Sequence, residues 1–166
     1  MKSEFIDAGD GTCLVPLTQG KHAIVSREDA ERVCRYKWCA VRTGRLFYAV
    51  SSIEGKMVYM HRFLVTATQP HEVDHINHDG LDNTRQNLRV ATHQQNIRNA
   101  RKRKGCTSRF KGVSFHAETR KWQAHFYKNG KSIGLGLFAS EEAAALAYNA
   151  AASAEYGEFA LLNEAV

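Results

Sequence analysis

At 166 residues, with 43% hydrophobic and 24% charged residues, the chain can bury one ordinary core or two small ones, and its composition is that of a folded soluble protein, for which disorder is not the default. A formal charge of +6 favours a polyanionic partner, and its distribution points to nucleic acid. Between Asp82 and Glu118 there is no acidic residue, whereas Arg85, Arg89, Arg98, Arg101, Lys102, Arg103, Lys104, Arg109 and Lys111 all fall there.

The start, Met1 to Gly11, has neither a basic leader with an apolar run nor a transit-peptide bias, and no later run approaches membrane-spanning length. The expectation is a cytoplasmic protein with no membrane partner. Cys13, Cys34, Cys39 and Cys106 lack close-paired spacing and read as reduced structural thiols rather than a zinc site or a disulfide framework.

In chain order, Thr12 to Leu17 and His22 to Val25 read as short strands about a Gln19-Gly20-Lys21 turn. Ser26, followed by Glu28 and Asp29, marks a helix start, and that helix runs to about Tyr36. Trp38 to Val41, Leu46 to Ser51 and Met57 to Met60 read as strands separated by glycine-centred turns, and His61 to Val65 as a short helix. A long polar loop rich in Asp, Asn and His follows. Asn83 to Asn99 then resumes, with Leu88, Val90 and Ile97 as the buried candidates, and passes into the basic run and a linker around Gly105 and Ser108. Phe110 to Ala117, Lys121 to Lys128 and Lys131 to Phe138 read as three strands, the second turn being Asn129-Gly130. Ser140-Glu141-Glu142 caps an Ala-rich helix that ends before Gly157.

The segment EVDHINHDGLDNTRQNLRVATHQQNIRN, Glu72 to Asn99, resembles the HNH branch of the His-Me finger endonucleases, most closely the phage and intron-encoded homing type. Asp74-His75, Asn87 with Leu88 following, and Asn96 occupy the three motif positions, and His61-Arg62 resembles the strand that precedes them. The resemblance implies a ββα-metal finger holding one divalent ion, with Asp74 and Asn96 as its ligands, His75 as the general base and Asn87 as the residue that ties the loop together. An imidazole suits the base role because it titrates near neutrality. A carboxylate and an amide oxygen suit magnesium or manganese better than zinc. His78, Asp79, Asp82 and His93 are alternative ligands, read first as loop or helix-cap residues.

Ser108 to Asn163 resembles the AP2 domain in the stretches FKGVSFH, KWQAHF, NGKSIGLGLF and YGEFALLN, which implies a three-stranded sheet laid in the major groove with a helix behind it. By alternation Trp122, Ala124, Phe126, Ile133 and Leu135 face the helix, and the other face carries Lys111, His116, Gln123, His125 and Tyr127. These, with the basic run, are the expected contacts to phosphates and base edges.

The fold class expected is α+β: residues 1–99 form the nuclease domain (1–60 a small scaffold, 61–99 the finger), 100–108 a basic linker and 109–163 the AP2-like domain. The function expected is a metal-dependent homing-type endonuclease that nicks double-stranded DNA as a monomer or weak dimer, with no small-molecule cofactor. The alternative is a non-catalytic AP2-like regulator with a degenerate nuclease domain.

Overall fold

The computed structural model describes residues 4–164, so the leader reading at Met1 to Gly11 starts with three residues outside the described range. The chain divides into two compact units, Met1–His93 and Gln94–Val166.

In the first unit β1 (Ile6–Asp7), β2 (Thr12–Pro16) and β3 (His22–Ser26) are antiparallel neighbours. Their alternation buries Cys13 and Val15 from β2 and Ala23 and Val25 from β3. Helix α1 (Arg27–Val33) follows directly, with Ser26 at its N-cap position. The Ser26 hydroxyl, however, accepts a hydrogen bond from the Arg85 backbone N–H at 2.9 Å rather than capping the helix. The helix ends three residues earlier than the sequence suggests, because Trp38 folds back and donates its indole N–H to the Val33 carbonyl at 2.9 Å.

Strands β4 (Cys39–Thr43), β5 (Leu46–Ile53) and β6 (Lys56–Tyr59) form a second antiparallel sheet, and α2 (Met60–Leu64) turns off its end. Met60 and Ala49 join Cys13, Val15, Val25, Ala30, Val33 and Trp38 in one core. The polar loop is not irregular throughout. It holds β7 (Glu72–His75), antiparallel to β9 (Leu88–Ala91), and β8 (Asp82–Asn83), which adds to β3 in parallel. Gly80 passes so close to β5 that a Cβ there would collide with the Phe47 carbonyl oxygen and lie 2.6 Å from the Tyr48 ring. Of the expected core residues after the loop, Leu88 is buried, but Val90, on the same face of a two-stranded ladder that has no further strand to cover it, is exposed at 44%, and Ile97, beyond β9, at 55%.

The second unit begins within α3 (His93–Asn99) and continues as β10 (Val113–His116), β11 (Lys121–Lys128), β12 (Lys131–Phe138) and α4 (Glu141–Tyr156). The three strands form one antiparallel sheet, joined at β11–β12 by Asn129 and Gly130, both at positive φ as a two-residue hairpin requires. Ser140 caps α4 by accepting from the Ala143 N–H at 3.1 Å. Ala144, Ala145 and Ala152 let the helix lie close to the sheet, and Tyr148 closes over Gly112, where a Cβ would strike its ring. Trp122, Leu135 and Phe138 pack on this core beside buried Ala124. Ile133 pairs with Phe126, which packs on Tyr156, but on the edge strand β12 it remains 39% exposed.

Candidate active site

Strand β7 ends on two buried side chains, Asp74 and His75, whose cross-strand partners in β9 are Arg89 and Leu88. Arg89 donates Nε and Nη2 to Asp74 Oδ2 at 3.0 and 2.8 Å, with the two side chains 11% and 6% exposed. The expectation that Arg89 reaches DNA is therefore corrected: a guanidinium buried in an ion pair is committed to holding the carboxylate beside His75.

The His75 ring sits among aromatic neighbours. Its centroid lies 5.0 Å from the His61 ring at 84° and 5.8 Å from Tyr48. His61 in turn meets Tyr48 at 5.8 Å and Tyr59 at 5.4 Å. Burial favours the uncharged imidazole in both histidines. It pushes His61 down to about 3, reinforced by the charges of His75 and Arg62. It also lowers His75, opposed by a side-chain hydrogen bond with Asn83 and by the carboxylates of Asp74, Asp82 and Asp79.

The loop from Ile76 to Asn87 is tied by Asn87. Its Nδ2 donates to the Asp82 carbonyl at 2.7 Å, its Oδ1 accepts from the Asn77 N–H at 2.9 Å, and its backbone carbonyl accepts from Ile76 at 2.9 Å. Asp79 and Asp82 are loop formers in the same manner. Asp79 Oδ1 accepts from the Leu81 N–H, and Asp82 Oδ1 from the Thr84 N–H and hydroxyl. His78 takes positive φ within this loop, and His93 contacts Glu72 at 3.0 Å. Asn96 lies on α3 in the second unit, partly exposed.

Two residues at this site, His61 and Asn83, are given no chemical role by sequence reasoning. The signal for His61 is its place directly ahead of the motif; Asn83 gives no signal distinct from a turn asparagine.

Asp74 in the first unit carries a carboxylate and Asn96 in the second an amide, both of them hard oxygen donors by type. Among the described residues no group of three or more His, Cys, Asp and Glu side chains stands ready to hold a metal, and the cysteines are free thiols, Cys13 and Cys34 buried, Cys39 and Cys106 exposed.

The model of the HNH endonuclease family matches residues 58–98, which span His61, Asp74, His75, Asn87 and Asn96. A protein of Acanthamoeba polyphaga mimivirus named as an uncharacterized HNH endonuclease is 39% identical over 152 residues, covering 88% of this chain and 76% of that one. The chain belongs to the HNH endonuclease family. No solved structure matches it. As an HNH endonuclease it is a DNA endonuclease. None of the described helices is long and apolar enough to cross a membrane.

The basic residues of this HNH endonuclease fall into two groups. Arg85 is bound to the first unit: it makes a bidentate pair with Asp29 at 2.7 and 3.0 Å and meets Glu28 at 2.9 Å, which holds it firmly charged. Lys111 places its ammonium on the carbonyls of Ile97, Arg98 and Ala100 at 3.3, 2.5 and 2.6 Å, and burial brings it down to about 8. Lys102 donates to the carbonyls of Phe110 and Val113, both at 2.5 Å. Lys102, within the expected basic linker, is thus tied to its own unit, and Lys111 and Lys102 are corrected from DNA contacts to structural cations, whereas the Arg85 side chain is 56% exposed beside Asp29 and Glu28. Arg98 lies 4.5 Å over the Tyr156 ring. Arg109 joins Glu141 and Glu142 at the start of α4. Arg101, Arg103 and Lys104 remain exposed, as does Tyr127, while His116 and His125 are partly exposed.

Proposed function

We propose that the chain is a homing-type endonuclease that nicks double-stranded DNA with His75 as general base and magnesium or manganese as its ion. The observation that supports this reading is the pairing of a buried imidazole whose neutral form is favoured with a buried carboxylate, His75 and Asp74, beside a loop tied by Asn87.

The neutral His75 ring accepts the proton of the water whose oxygen attacks phosphorus, and the bond from phosphorus to the 3′ oxygen breaks as the new one forms. Asp74 and Asn96 offer the hard oxygens that would hold the ion. When bound, the ion supplies a Lewis acid at the phosphate and at the departing oxygen. Asn87 touches none of the reacting atoms; it holds the loop that carries His75 in shape. Arg89 keeps the Asp74 carboxylate fixed against the strand. Arg101, Arg103 and Lys104 meet phosphates, and the C-terminal sheet and helix act as an AP2-like module in which Tyr127, His125 and His116 face the duplex. With one His75 per chain a monomer cuts one strand, and cutting both takes a second copy or a second turnover.

Supercoiled plasmid incubated with the protein and magnesium tests this. The wild type should yield open circles, and His75→Ala should lose nicking while keeping its affinity for duplex DNA, because the base acts on water and adds little to ground-state binding. Nicking by His75→Ala at the wild-type rate rejects the assignment of the base.

A further inference from the structure

A cavity of about 530 Å³ opens wholly inside the second unit, between the end of α3, the basic run that follows it, strand β11 and helix α4. Arg98, Arg101, Arg103 and Lys111 bring four positive charges to its wall, and no Asp or Glu lines it. Ile97, Phe126, Tyr127 and Tyr156 give the same wall an apolar and aromatic surface. A cavity of this size takes a small molecule whole, and a nucleotide is of that size. Cations without carboxylates select an anion, and aromatic faces select a flat ring.

Folding fixes these groups without filling the space between them. The Tyr156 hydroxyl accepts from the Tyr127 N–H at 2.9 Å and donates to the Tyr127 carbonyl at 2.6 Å, which ties the Tyr127 backbone to α4 while the residue stays 57% exposed. The Arg98 guanidinium lies 4.5 Å over the Tyr156 ring. The Lys111 ammonium rests on the carbonyls of Ile97, Arg98 and Ala100, which carry no net charge, so its own charge stays uncompensated in the wall. Arg101 and Arg103 are exposed at the rim. A duplex that keeps its pairing offers phosphates and base edges to a protein, and its base faces stay hidden in the stack. Cations on an open surface serve phosphates; a cavity with aromatic walls suits a base that has left the stack.

We propose that this cavity receives one unstacked nucleotide of a DNA strand, its base against the Tyr127 ring and its phosphate among Arg98, Arg101 and Arg103. The assignment rests on the reading of the second unit as a DNA-binding module and adds to it a site for a single nucleotide. Turning a base out of a paired duplex costs free energy that an unpaired base does not have to spend, so the site favours DNA in which one nucleotide is already unpaired.

Fluorescence anisotropy of the full chain with labelled DNA, in EDTA so that no strand is cut, tests this on three duplexes: one fully paired, one with a single bulged deoxyadenosine, and one with the same bulge made abasic. The bulged duplex should bind about tenfold tighter than either of the others, the factor expected of one stacked base. Ala100→Trp sets an indole into the cavity from an exposed position and should erase this preference, with affinity for the paired duplex within about twofold of the wild type. Tyr127→Leu should likewise bring the ratio of bulged to paired affinity near one, and it decides alone should Ala100→Trp fail to fold. Equal affinity of the wild type for bulged and abasic duplexes, or a preference that survives the substitutions, overturns the proposal. Replacing Arg101, Arg103 and Lys104 by Ala distinguishes the two levels. Weaker binding of all three duplexes by that variant, with no preference for the bulge in the wild type, removes only the nucleotide site; unchanged binding of all three removes the DNA-binding reading of the unit and this inference with it.

Discussion

Arg89 and Asp74 stand directly opposite each other across the β7–β9 ladder, and the guanidinium sets two nitrogens on one carboxylate oxygen, Oδ2, at 3.0 and 2.8 Å. A carboxylate 6% exposed needs a positive partner, and Arg89 provides it whether or not an ion is bound.

Removing that partner gives the first prediction. Arg89→Met leaves a buried charge uncompensated and should destabilise the metal-free protein by about 3–5 kcal/mol. Manganese should then raise the melting temperature of the variant more than that of the wild type, since a divalent ion at Asp74 replaces the missing charge. Calorimetry with and without manganese reads both effects, and an equal shift in the two proteins would place the ion away from Asp74.

Asn87→Ala should lower the nicking rate without abolishing metal binding, because it deletes the bonds to Asp82 and Asn77 and no ligand oxygen. Deleting two buried side-chain bonds costs about 1–3 kcal/mol each in stability. Binding of manganese followed by relaxation or calorimetry should match the wild type; failure to bind the ion would make Asn87 a ligand.

Acid should weaken the fold through His61. Its folded pKa of about 3 lies below the ordinary 6.5, so below pH 6.5 the unfolded chain binds a proton that the folded chain refuses. Stability from this group is complete above 6.5 and falls by about 1.4 kcal/mol per pH unit as the pH drops toward 3. Urea midpoints between pH 7 and 4 should show that slope, and His61→Phe should flatten it. The lowered pKa of His75 likewise moves the acid limb of the nicking rate below pH 6.5, so a limb centred above 7 counts against a buried base.

The two classes of basic residue should respond differently to charge removal. Replacing exposed Arg101, Arg103 and Lys104 by Ala should weaken binding to all duplexes alike and flatten the logarithmic salt slope by about 0.9 for each phosphate no longer neutralised. Lys111→Met should instead act mainly on stability, because three backbone carbonyls are deprived of their donor. Fluorescence anisotropy across a salt series, set beside melting curves, separates them; a salt slope changed by Lys111→Met with stability intact would return Lys111 to the interface.

Much of this protein is legible in its residues because the signals are local. Alternation at Cys13, Val15, Ala23 and Val25, the Asn129-Gly130 turn and the Ser140 cap each state their structure within a few positions. The order Asp74-His75, Asn87, Asn96 likewise announces the family without reference to the fold, since the motif is a set of chemical types at fixed spacing. What spacing does not carry is which charge meets which. Arg89, Arg85, Lys102 and Lys111 read as one basic surface with Arg101 and Arg103, yet Arg89, Lys102 and Lys111 are drawn inward by Asp74 and backbone carbonyls, and Arg85 is engaged at the surface by Asp29, partners that pairing and folding bring beside them.

Residue order alone specifies the chemistry on offer and the elements that carry it: an imidazole, a carboxylate and two amides in a short window, and an excess of cations after it. Folding is what brings His61 to His75 and locks Arg89 onto Asp74. Burial and contact between strands remote in sequence depend on how sheets and helices close over one another, and a neutral imidazole or a committed guanidinium is a property of that enclosure.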